Sequence, residues 1–181
     1  MKNNMKLIQK FLMIVMVMLA WSSITISAKG DKVDDNHLSC DGPYVIYLPD
    51  GGVRVVSVTV AGEVKDTTYA SLPDNFTLHV TDHEGNYPFD VRLHPVVRQE
   101  WKQSQAKKTF VMSDPHGRLN LVISLLQANG VIDSQLRWSY GDNQLVVIGD
   151  IFDRGYDVPQ IFWLFYKLEA EAAECGGRVS V

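Results

Sequence analysis

From Tyr44 onward, apolar and polar positions alternate at a period of two; beyond residue 108 the pattern changes to short apolar runs separated by helical periods. Residues 44–48 and 53–60 flank the turn Pro49-Asp50-Gly51-Gly52, and in the second run Val56, Val58 and Val60 alternate with Ser57 and Thr59, which predicts a hairpin. A second pair of runs, 76–81 and 89–93, is joined by the polar segment 82–88. Residues 41–95 therefore read as a small antiparallel β module, and the polar stretch 96–108 as a linker.

The remainder, 109–181, carries a different rhythm. Residues 109–113 form a buried-strand pattern, and 119–129 place Leu119, Val122, Leu125 and Leu126 on one helical face before Gly130. A second strand is predicted over 144–149. Asp157 then stands at a helix-cap position with Pro159 in the first turn, and the helix runs through Ile161, Leu164, Phe165, Leu168 and Ala172 to Gly176-Gly177. Phe162, Trp163, Phe165 and Tyr166 lie on this helix as packing positions. Arg178 to Val181 begin a third strand. The order βαβαβ implies a parallel sheet covered by helices, with ligands bound at the carboxyl ends of its strands. The fold class is thus α/β (α+β overall), with the antiparallel β module ahead of the parallel core.

Composition adds an address and removes some partners. Lys2, Lys6 and Lys10 precede an apolar run over 11–21 and a small polar stretch ending at Ala28, the order of a secretory signal peptide over residues 1–28. A bilayer span takes about 20 apolar residues, so cleavage after Ala28, a polar leader over 29–40, no stable membrane anchor, and a secreted or periplasmic location are expected. Without its three lysines, the 17 basic residues become 14 against 21 acidic ones, a formal charge of −7. That balance argues against a nucleic-acid partner, whose phosphates need a basic face. Cys40 and Cys175 alone do not make a disulfide framework, and one bridge or two free thiols are both compatible with the sequence.

The most reactive side chains fall at the predicted strand ends. The first strand runs into Ser113-Asp114-Pro115-His116-Gly117, the second into Gly149-Asp150-Ile151-Phe152-Asp153-Arg154-Gly155. In extended chain, residues two apart point the same way, so Asp114 and His116 can grip one ion, and Asp150 reaches the same crevice from the next strand. A carboxylate can bridge two cations, and mixed oxygen and imidazole donors suit Mn, Fe, Zn or Mg. Two such metals about 3.5–4 Å apart polarise a phosphoryl group for in-line attack. The planar fork of Arg154 suits phosphate oxygens. Asp153 fits the task of orienting a ligand or Arg154. By contrast, His79 and His83 are set about 13 Å apart by four residues of strand, and segment 79–83 reads as a polar hairpin loop.

These two motifs resemble the first two signatures of the calcineurin-like metallophosphoesterases, D-x-H-G and G-D-x-x-D-R-G, matched by Asp114–Gly117 and Gly149–Gly155. The resemblance implies that Asp114 and His116 bind the first of two metals, that Asp150 bridges both, and that Arg154 contacts phosphate. The D-R-G form points to the phosphoprotein-phosphatase branch. Asp41-Gly42-Pro43-Tyr44-Val45, with a β module ahead of the core, looks most like the bacterial Shewanella-like phosphatases. On that resemblance, residues 109–181 are the first half of a metallophosphoesterase sandwich. Its third signature, G-N-H-E or G-N-H-D, supplies a second-metal ligand and the catalytic imidazole, and is not found among the 181 residues. His37, His79, His83 and His94 all lie upstream of the motifs. The expectation is therefore the front part of a longer protein, with its general-acid histidine beyond Val181 and the 181-residue chain inactive alone. The expected activity is hydrolysis of Ser/Thr or Tyr phosphate in proteins, or of small phosphomonoesters. The alternatives are a dinucleoside polyphosphate hydrolase using the same centre, and a non-catalytic secreted protein whose β module is a binding domain.

Overall fold

The two alternating runs at the start of the module pair as the turn between them requires. The computed structural model describes residues 40–96, 98–100 and 102–181; the expected signal peptide and almost all of the leader lie outside the described residues. β1 (Asp41–Tyr47) and β2 (Val53–Val58) are antiparallel, and the turn closes through Leu48 N–H to Gly52 O at 2.8 Å and Gly51 N–H to Leu48 O at 3.0 Å. Gly51 takes φ +86°, which glycine adopts without steric cost.

A third strand, β3 (Val64–Tyr69), extends this sheet in the order β1-β2-β3, and the alternation does not foresee it. Its sequence Val-Lys-Asp-Thr-Thr-Tyr offers no apolar face, and all but its last residue are exposed. Backbone pairing to β2 holds it, from Val53↔Tyr69 to Val58↔Val64, with an Arg54–Asp66 ion pair of 2.5 Å across the strands. Its β-branched and aromatic content was the available signal.

β4 (Thr77–Val80) and β5 (Phe89–Arg92) form a separate two-stranded sheet. Leu78, Val80, Phe89 and Val91 are buried on one side, while on the other His79 Nδ1 meets Asp90 Oδ1 at 2.8 Å. Residues 41–95 are thus two sheets. The second of them joins the same hydrophobic cluster as the helices that follow.

The core sheet comprises β6 (Thr109–Ser113), β7 (Gln144–Ile148) and β8 (Arg178–Ser180), all parallel, in the order β6-β7-β8. The crossovers are α1 (Leu119–Ala128) and α2 (Val158–Glu174). Each steps to the next strand in the same direction, so right-handed crossovers put both helices on one face. Burial agrees: Met112, Leu145, Val147 and Val179 point into the core, whereas Val111 and Ile148 point the other way and are each 54% exposed.

α2 has apolar residues on more than one face of its first half, from Val158 to Tyr166. It packs against β8, β1, β5 and α1, so residues all around it meet protein. Ile161, Leu164, Phe165, Leu168 and Ala172 are buried, and Trp163 donates Nε1–H to the Pro43 carbonyl at 2.7 Å. Burying each such large side chain contributes about 1.5–3 kcal/mol, which is what ties the second hairpin to the parallel sheet. On α1 the buried set is Leu119, Val122, Ile123 and Leu126; the expected core position Leu125 is 42% exposed. At 3.6 residues per turn, Leu125 lies about 100° from Leu126 and off the buried stripe, and Ile123 takes its place.

Within the stretch expected to be a linker, Gln99 donates to the Val179 carbonyl at 2.6 Å and accepts from the Ser180 hydroxyl at 3.0 Å, occupying part of the open edge of β8. Cys40, buried ahead of β1, and Cys175, exposed after α2, are free thiols. Among the described residues no helix is long and apolar enough to cross a membrane.

Candidate metal centre

The strands β6 and β7 end side by side, and their following loops are laced together by the backbone. Asp114 N–H donates to Ile148 O at 3.2 Å, His116 N–H to Asp150 O at 3.1 Å, and Gly117 N–H to Ile151 O at 3.0 Å. In return, Asp150 N–H donates to Asp114 Oδ1 at 3.2 Å. This lacing brings Asp114, His116 and Asp150 together, with one ligand atom from each lying within 4.8 Å of the others. Ligands about 2.1 Å from an ion lie at most about 4.2 Å apart, so closure on a cation asks for a movement of roughly half an ångström.

The surroundings favour the charged form of Asp114 and orient the His116 ring. A hydrogen bond from the Ser113 side chain, and then one from the Asp150 N–H, hold the Asp114 carboxyl below the usual carboxylate range against a smaller desolvation effect. His116 Nδ1–H donates to Asp153 Oδ1 at 2.6 Å, which leaves Nε2 as the imidazole's free lone pair. A carboxylate behind a histidine is the usual support for a metal-ligating ring. Asp153 also lies 3.6 Å from Arg154 Nε, so the residue expected to orient a ligand or Arg154 touches both.

Backbone conformation marks the same residues. Asp114, His116, Asp153 and Arg154 have φ of +51°, +45°, +74° and +64°; among the described residues Leu136 is the one other non-glycine in that region. Such conformations cost about 1–3 kcal/mol each and persist where surrounding structure imposes them. Here the imposition comes from glycines that let the loops touch. A Cβ on Gly149 would lie 2.8 Å from Asp114 Oδ1, and one on Gly117 would lie 2.8 Å from the Gly155 carbonyl carbon. A Cβ on Gly155 would overlap the Gly117 and His116 carbonyl oxygens.

Two participants escape the sequence reading. Asp157 occupies the cap position of α2, but its side chain makes no capping bond. Instead Oδ1 accepts from the backbone N–H of His83 at 2.8 Å and from His83 Nδ1 at 2.9 Å, while Asp157 N–H donates to Gly117 O at 2.9 Å. Of the segment expected to be a hairpin loop, His79 and Val80 lie in β4, where both pair with β5, and only residues 81–83 enter the connection; His83 turns back to a buried carboxylate 74 positions away, a pairing no local pattern reveals. The second is Arg118, directly after the first motif. With Arg154 it lines a cavity of about 340 Å³ beside Asp114 and His116.

Two carboxylates and one supported imidazole, at the carboxyl ends of adjacent parallel strands, define a centre suited to borderline divalent cations, next to two guanidinium groups suited to phosphate. The chain is homologous over part of its length to protein phosphatases of the Shewanella-like, calcineurin-like kind. It is 33% identical over 73 residues to Shewanella-like protein phosphatase 2 of Arabidopsis thaliana, a match covering 40% of this chain and 19% of that protein. An uncharacterised protein of Schizosaccharomyces pombe is 35% identical over 72 residues, covering 39% and 22% respectively. Among solved structures, a cold-active protein-tyrosine phosphatase of a psychrophilic Shewanella species superposes with a TM-score of 0.63 at 30% identity, covering 77% of this chain and 41% of that one. A 1.1 Å structure of a cold-active protein tyrosine phosphatase gives a TM-score of 0.64, again at 30% identity, covering 78% and 41%. The chain thus spans about one fifth of the curated relatives and about two fifths of the solved phosphatases. No protein-family model matches it.

Proposed function

We propose that the crevice between β6 and β7 is one half of a metal-dependent phosphomonoesterase centre, in a protein that removes phosphate from phosphorylated side chains or small phosphomonoesters. The observation that carries this reading is the convergence of Asp114, His116 and Asp150 to within 4.8 Å, with Arg154 lining the adjoining cavity. Asp114 and His116 would hold a first divalent ion, and Asp150 would bridge it to a second; manganese, iron, zinc and magnesium all fit such donors. When bound, the ions supply Lewis-acid polarisation of a phosphoryl oxygen. The chain's own contribution is positional. Asp153, bonded to His116 Nδ1 and next to Arg154, would orient the ring for ligation through Nε2 and steady Arg154 for phosphate. On this reading, the general acid and the remaining ligands would come from outside the stretch aligned to the phosphatase relatives. The apolar run ahead of the described residues supports export to a secreted or periplasmic location.

Calorimetric titration of Mn²⁺ into the chain tests the ligand set, with p-nitrophenyl phosphate hydrolysis measured in parallel. Asp150→Asn should weaken Mn²⁺ binding by at least about tenfold, roughly one charged ligand contact. Equal affinity in wild type and variant would remove Asp150 from the centre.

A further inference from the structure

Arg118 lines the cavity beside the candidate centre, but the proposed phosphomonoesterase chemistry assigns it no role. It is the cap residue of α1, exposed, and one of two cationic side chains lining the 340 Å³ cavity beside the candidate centre. Among the described residues its guanidinium has no hydrogen-bonded or ionic partner, whereas Arg154 leans on Asp153. The two arginines occupy different stations. Arg154 comes from the loop after β7, beside Asp153; Arg118 sits at the start of the helix, where Leu121 and Leu125 continue the cavity wall. Among the described residues both leucines are exposed, at 58% and 42%, so this wall of the cavity is apolar.

A single phosphoryl group on the metal side accounts for Arg154 and leaves Arg118 unused. A ligand with two anionic groups joined by a short carbon skeleton uses both, with the skeleton lying along Leu121 and Leu125. A free guanidinium at an exposed site is a strong bidentate receptor for carboxylate or phosphate. The chain's overall negative charge repels a dianionic substrate at long range, which makes a local cation of this kind more consequential.

On the reading of the crevice as a phosphomonoesterase centre, we infer that Arg118 is a specificity-determining residue that selects phosphomonoesters bearing a second anionic group close to the phosphate. That second group is either the carboxylate of a small phosphorylated acid or an acidic side chain beside a phosphorylated residue.

The test is NMR-detected titration of the Mg²⁺-loaded chain with glycerol 3-phosphate and with 3-phosphoglycerate, which differ by one carboxylate. The wild type should bind 3-phosphoglycerate about tenfold more tightly, the gain of one charge-assisted contact. Arg118→Gln should bring the two affinities within about twofold of each other, and Arg118→Lys should keep part of the preference. Arg154→Gln should weaken both ligands while preserving their ratio. A second pair of probes, phosphopeptides with Glu or Gln next to the phosphorylated residue, separates the two sources of the carboxylate. Discrimination there as well assigns the site to acidic phosphopeptides; discrimination confined to the small acids assigns it to those. Equal affinity of the wild type for both members of both pairs would overturn the role of Arg118 while leaving the phosphate site standing. Absence of binding by all four probes would overturn the phosphomonoesterase reading itself, and this inference with it.

Discussion

One oxygen of the Asp157 carboxylate receives both the backbone N–H and the ring Nδ1 of His83, at 2.8 and 2.9 Å, joining the loop between β4 and β5 to the segment just behind the candidate centre. Asp157 is almost fully buried, and its own N–H holds the Gly117 carbonyl. A buried carboxylate so held is costly to orphan. His83→Ala should destabilise the fold by about 1–3 kcal/mol, the cost of leaving a buried polar group short of a partner. Urea denaturation checks this, and a change below about 0.5 kcal/mol would show that the ring contributes only its backbone neighbour.

Gly149 makes a sharper prediction because its cost falls on a ligand. Gly149→Ala would strain a backbone at φ +80° and press a methyl against the Asp114 carboxylate, 2.8 Å away. Mn²⁺ affinity should fall by more than about tenfold, with far-ultraviolet circular dichroism unchanged, because the displaced group is a proposed ligand of the ion. Retention of full affinity would mean that Asp114 has another route to the cation.

Leu78 tests whether the β4–β5 hairpin and the parallel sheet share one core. It is 3% exposed and lies in the same cluster as Leu164 and Leu168 of α2. Leu78→Ala should cost about 2–5 kcal/mol, the range for truncating a buried leucine. The tryptophan fluorescence and circular dichroism transitions should shift together. If the fluorescence of Trp163 on α2 kept its wild-type midpoint, the hairpin would be energetically independent of the helix.

Asp133 provides a pH test away from any metal ligand. Its Oδ1 accepts from the Gln135 and Arg137 N–H groups at 2.8 and 2.9 Å, and Oδ2 from Arg137 Nε at 2.9 Å. The Arg137 N–H foremost, then its guanidinium and the Gln135 N–H, hold the carboxyl below its ordinary value despite some desolvation. A depressed acid contributes stability that is present above the unfolded value of about 3.9 and lost as pH falls through the folded one. The amide shifts of Gln135 and Arg137 should therefore titrate with a midpoint below about 3.9, and Asp133→Asn should abolish the transition. A midpoint above that value would contradict the assigned bonds.

How much of this was legible along the chain depends on the range of each interaction. Strands β6 and β7 and both helices carry their own periodicity, so residues 109–181 could be placed without tertiary information. β3 could not, because its only strong partner is the backbone of β2, and backbone pairing leaves no hydrophobic signature. Leu125 was misplaced on α1 because an apolar residue at the edge of a stripe looks, in sequence, like one at its centre.

The half-site divides in the same way. The placement of Asp114, His116, Asp150 and Arg154 beyond the ends of β6 and β7 was determined by the sequence, since each stands within a short motif that follows a predicted strand. What the tertiary structure alone decided is how those motifs are held. The Gly117–Gly155 contact, the Asp153 carboxylate behind His116, and the His83–Asp157 bond join residues 37 to 74 positions apart in the hydrogen-bonded cases. Arg118 acquires meaning the same way, because the cavity it lines with its own neighbours also takes in Arg154 from the loop after β7. Contacts of that range follow from how the elements pack, and packing is a property of the whole core that no local pattern encodes.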